Sequence, residues 1–81
     1  MDKFNLEAQY QKYLELMRLD EKQMPPIQQQ ETRRAFFGAC GQMLRLMTED
    51  IADLEEVEAV GTIINLKNQV SEYFMKQLEQ L

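Results

Sequence analysis

The sequence predicts an all-α protein of three helices: a short N-terminal helix followed by a long antiparallel helical hairpin, assembled as an oligomer. Three observations carry this. Apolar residues recur at three- and four-residue intervals along nearly the whole chain, which is the spacing of one face of a helix. No stretch alternates apolar and polar residues with β-branched enrichment, and no Asn-Gly or Asp-Gly turn occurs. Both prolines are adjacent, at Pro25 and Pro26, so the chain has a single strong internal breaker.

The first helix is expected from about Asn5 to Leu19. Leu6, Tyr10, Tyr13, Leu14 and Met17 form its apolar stripe. Asn5 or Asp2 is suited to cap it, and Glu7 in the first turn complements the helix dipole. The linker DEKQMPP then ends this helix and starts the next, because proline fits the first turn of a helix.

The second helix is expected from Pro26 to about Glu49. Phe36, Phe37, Cys40, Met43, Leu44, Met47 and Ile51 fall on one arc, predicted to be core. An acidic corner from Thr48 to Glu58 follows, in which Asp53 and Glu56 have the spacing of a capping box. The third helix, about Leu54 to Leu81, aligns Val57, Val60, Ile63, Ile64, Val70, Phe74, Leu78 and Leu81 on one side. The two long helices would span ~36 and ~40 Å, and the short connection between them implies the antiparallel pair.

The chain of 81 residues is read as one helical domain over 1–81. A chain this short buries only a little over ~60% of its unfolded surface, so its own core is thin. The first helix is too short to cover such a hairpin. Apolar surface is left for another copy or another partner, and a homo-oligomer is expected.

Hydrophobic residues make up 44% and charged residues 28%, a globular balance. Fourteen acidic against nine basic side chains leave a net charge of -5, which repels phosphate backbones and anionic lipid. Neither nucleic-acid nor membrane binding is expected. The N-terminus is polar, no run of 18 apolar residues occurs, and the single Cys40 forms no intrachain disulfide, so a cytoplasmic protein is expected.

Histidine is absent, Ser71 is the lone serine and Cys40 the lone cysteine, so the usual nucleophile and base pairs cannot be assembled in one chain. Zinc spacings are missing as well, and the acidic corner lacks the glycine and ligand alternation of a calcium loop. No enzyme, cofactor or metal is expected.

One segment stands out, RRAFFGACGQMLRLM, from Arg33 to Met47. With Arg34 at zero and ~100° per residue, Gly38 lies near 40°, Gly41 near -20° and Arg45 near 20°, while Phe36, Cys40 and Met47 lie across the helix. The glycines therefore do not serve the core arc, and each costs about 1 kcal/mol relative to alanine in a helix interior. Two uses of the strip suit this loss. A helix crosses closely over the missing side chains, beside Ala35 and Ala39. Alternatively, backbone flanked by the guanidinium groups of Arg34 and Arg45 receives an anion.

Two further cations sit on apolar arcs. Arg33 lies inside that of the second helix, and Lys67 lies among Ile63, Ile64, Val70 and Phe74 of the third. Either they snorkel, or each meets a carboxylate or bound anion at a subunit boundary. The candidate ligand- or partner-binding residues are thus Arg33, Arg34, Gly38, Gly41, Arg45 and Lys67.

Through FNLEAQYQKYLELMRLDEKQMPP and RRAFFGACGQMLRLM, over roughly its first fifty residues, the sequence resembles short uncharacterised helical proteins of bacterial prophages and mobile elements. The resemblance implies a bacterial cytoplasm but carries no site-residue roles. By analogy with other small phage proteins, it adds counter-defence to the readings. Three remain open: a non-catalytic protein acting on a host protein through helix-mediated contacts, an oligomeric sponge for an anionic small molecule such as a cyclic nucleotide, and a purely structural helical assembly.

Overall fold

The computed structural model describes residues 2–80. Among these the secondary structure is entirely helical: α1 (Leu6–Leu16), α2 (Pro26–Arg45) and α3 (Glu56–Glu79), joined by short 3₁₀ and π turns. The protein is all-α. Two compact units form, one up to Met43 and one from Leu44 onward.

In the first unit, Asn5 caps α1 by accepting a hydrogen bond from the Ala8 amide at 3.2 Å. The helix stops at Leu16, short of the expected Leu19. The Arg18 backbone takes the left-handed conformation (φ 56°), and the Leu19 amide reaches back to the Leu14 carbonyl at 2.8 Å. This is the bonding of a Schellman stop, with arginine where glycine is usual.

The linker also has structure. Asp20 caps a 3₁₀ turn at Glu21–Gln23, which delivers Met24 into the core. Pro26 opens α2 as expected.

The buried side chains of this unit are Tyr10, Leu14 and Met24, with half-buried Tyr13 and Phe36 against them. The Tyr10 ring centroid lies 5.3 Å from that of Phe36, and the Tyr13 centroid 5.4 Å from it, tilted contacts of the kind aromatic pairs favour. Each fully buried apolar side chain contributes about 1.5–3 kcal/mol. With so few of them the core is thin.

The core arc predicted for the second segment is corrected here. Phe37, Met43, Leu44 and Met47 are exposed, Phe36 and Cys40 are half-buried, and Ile51 alone of that set is buried. Periodicity placed these residues on one face, but a short α1 can cover only the part of α2 that it reaches.

In the second unit, the end of α2 relaxes into a π turn at Leu46–Asp50, closed by the Ile51 amide bonding to the Leu46 carbonyl. A 3₁₀ turn, Ile51–Asp53, follows. The proposed Asp53 and Glu56 capping box does not form. Leu54 and Glu55 are extended, Glu55 occupies the cap position without a side-chain bond, and α3 begins at Glu56. Acids still fill the first turn of α3, as Glu56 and Glu58, where the helix dipole favours them. Leu81 lies outside the described residues.

Candidate functional site

The six candidate residues do not form one cluster. Arg33, Arg34, Gly38 and Gly41 belong to the first unit, whereas Arg45 and Lys67 belong to the second.

Arg33 is held by carboxylates of its own unit. Its Nη1 and Nη2 donate to Glu7 at 2.8 and 2.7 Å, forming the two-pronged contact that arginine geometry favours. Nη2 also donates to Glu21 at 3.3 Å, and Nε lies 3.2 Å from the second oxygen of Glu21. The guanidinium carbon sits 4.7 Å from the centre of the Tyr10 ring. Arg33 thus ties α1 and the 3₁₀ turn to α2. It meets carboxylates, as one sequence expectation had it, but within its own unit and not at a subunit boundary.

This knot shifts the groups around it. The hydrogen bond from Arg33, with a smaller one from Gln11, holds the Glu7 carboxyl below the usual carboxylate range. Arg33 itself is made harder to deprotonate, first by Glu7 and then by Glu21. Burial pushes the Tyr10 phenol up, and the adjacent Glu21 carboxylate pushes the same way. The Tyr10 hydroxyl is buried beside the Glu21 carboxylate without a well-formed hydrogen bond to it. Glu7, read from the sequence only as a first-turn acid, was missed as the partner of Arg33, and Glu21 and Met24 were not singled out. The signal that pointed to them was Arg33 itself, a cation on an apolar arc that needed an acid.

The glycine strip is open. A methyl group on Gly38 or Gly41 would meet no atom within 4 Å beyond the helix's own backbone, so α1 does not cross there. Arg34 and Arg45, both exposed, flank the glycines and make no ion pair among the described residues. They stand eleven positions apart, which is ~16 Å along the helix axis. Lys67 is exposed on α3 and likewise makes no ion pair there.

Apolar surface is abundant elsewhere. In the first unit, Tyr13, Leu19, Ala35, Phe36 and Ala39, with Glu31 and Thr32, line an open groove of about 460 Å³. On α3, Val57, Val60, Ile64, Val70, Phe74 and Leu78 are all exposed. Among the described residues no cluster of His, Cys, Asp or Glu is suited to a metal ion, and no helix is long and apolar enough to cross a membrane.

Fold and surface together define an all-α chain of two small helical units that carries uncovered apolar helix faces. No protein-family model, curated protein or solved structure matches it.

Proposed function

We propose that the chain is a non-catalytic binding protein that works through helix-mediated protein contacts and assembles as a homo-oligomer. The observation that carries this is the mismatch between core and surface. Among the described residues only Tyr10, Leu14, Met24 and Ile51 are buried hydrophobics, while α3 alone exposes a row of valine, isoleucine, phenylalanine and leucine side chains. Exposed apolar faces of that extent are characteristic of surfaces that dock on protein. The resemblance to prophage-encoded helical proteins adds a setting, counter-defence in a bacterial cytoplasm, in which such a protein acts stoichiometrically on a host protein.

A second reading, the sponge for an anionic small molecule such as a cyclic nucleotide, draws on Arg34 and Arg45 beside bare backbone at Gly38 and Gly41. Their ~16 Å separation is too long for both to grip one phosphate without a large inward lean, so it suits a ligand with two separated anionic groups.

Native mass spectrometry of the protein purified from bacteria tests both. An oligomer without retained small molecules, dispersed by Val60→Asp on the exposed face of α3 with helix content kept, is the expected result. A retained nucleotide that disappears in Arg34→Ala/Arg45→Ala, with subunit number unchanged, overturns it in favour of the sponge. A bare monomer overturns both.

A further inference from the structure

The position of Lys67 is the least comfortable on α3. At about 100° per residue, it lies in the middle of the stripe formed by Val60, Ile63, Ile64, Val70 and Phe74. Val60 is 52% and Ile64 53% exposed, with Ile63 between them half-buried, so this part of the stripe is largely open, and Lys67 is exposed with it. Any apolar surface laid over the stripe would strip water from an unpaired ammonium group, which is costly. The natural occupant therefore brings a carboxylate to that point.

α3 itself carries one in the right place. Glu56 is eleven positions before Lys67, three helical turns, so the two lie within about 20° of each other and ~16 Å apart along the axis. Glu58, Glu72 and Glu79 fall about 130–170° away from this stripe. Glu56 is exposed, and among the described residues it makes no ion pair. The stripe thus has an acid at one end, Val60, Ile63 and Ile64 in the middle, and a base at the other end. Such a segment is complementary to itself when turned end for end.

We propose that α3 pairs antiparallel with α3 of a second copy of this chain, in the register that sets Lys67 against the partner's Glu56. By two-fold symmetry Glu56 then meets the partner's Lys67, and Val60 packs on the partner's Ile63. The competing register of full overlap, centred between Lys67 and Asn68, places the two lysines side by side and is disfavoured by their repulsion. Three turns of helix bury well under the ~800 Å² per partner of a standard stable complex, so the pairing is a concentration-dependent equilibrium. This inference rests on the self-assembly proposed above and adds its register.

Sedimentation equilibrium of the whole chain tests it, with circular dichroism to check that each variant keeps its helices. Glu56→Lys and Lys67→Glu each place like charges at both ends of the pair and are expected to weaken dimerisation by roughly tenfold. The double variant restores opposite charges and recovers to within about threefold of the parent. In a Cys40→Ser background, Val60→Cys protein mixed with Ile63→Cys protein forms a disulfide-linked heterodimer. Assembly that neither single charge reversal disturbs overturns the register and leaves helix-mediated assembly standing. Singles that weaken without rescue in the double also overturn it. A monomer at every concentration overturns both proposals.

Discussion

The Tyr10 hydroxyl is the sharpest test of the core. Tyr10 is 0% exposed, its ring contacts Phe36 at 5.3 Å and Phe37 at 6.1 Å, and its oxygen makes no well-formed hydrogen bond, with Glu21 beside it. A buried hydroxyl left unpaired costs about 1–3 kcal/mol in lost hydration. Replacing Tyr10 with phenylalanine removes that cost and keeps the ring, at the expense of a few tenths of a kcal/mol from contacts of the lost oxygen and a weaker ring for Arg33. The net expectation for Tyr10→Phe is a gain of about 1 kcal/mol, or roughly 4–8 °C in Tm for a domain of this size. Urea unfolding followed at 222 nm, at one fixed protein concentration, reads it as a higher midpoint at unchanged slope. A loss of about 0.5 kcal/mol or more would refute the reasoning, because it would mean the hydroxyl is engaged, with Glu21 as the nearest acceptor.

Three further outcomes follow from the same unit. Leu14, 3% exposed, is a core residue with few neighbours to collapse around it, so Leu14→Ala should cost about 2–5 kcal/mol in the same urea assay. A loss under 1 kcal/mol would contradict its burial. Arg18 holds a left-handed backbone at φ 56° without needing its side chain for the stop, so Arg18→Gly should raise stability by about 0.5–1 kcal/mol, read as a higher Tm. Glu7 has a carboxyl held below 4.5 by Arg33 in the folded chain, so its contribution is present above the unfolded value and lost as pH falls through the lowered folded value. Thermal melts on acidification should therefore drop more steeply for the parent than for Glu7→Gln. Parallel curves would show that the pair adds nothing to folding.

Much of the architecture is written in local rules that need no partner. The helical period, the Asn5 cap, the start at Pro26 and the absence of strand patterns place three helices within a few residues of where they form. The same periodicity also put Arg34, Gly38, Gly41 and Arg45 on the side of α2 opposite Phe36, and there the strip is open.

What periodicity could not settle is which apolar residues have cover. A stripe on a helix records that something can be buried. Whether it is buried depends on what packs against it: Tyr10 and Tyr13 of α1 close on Phe36, while Phe37 and Met43 stay exposed. The cap of α3 escaped for a related reason, since Asp53 is taken up in a 3₁₀ turn and Leu54 and Glu55 are extended before α3 starts at Glu56.

The amino-acid order alone thus determined the helical class and the alignment of Gly38 and Gly41 on one side of α2, because helix formation and facing depend on neighbours three and four positions apart. That α1 does not cross them was decided by the tertiary structure. Only the tertiary structure decided that Arg33 closes on Glu7 and Glu21, that Met24 enters the core, and that the α3 stripe stands open. Those outcomes depend on contacts between residues distant in sequence, and no local spacing encodes them.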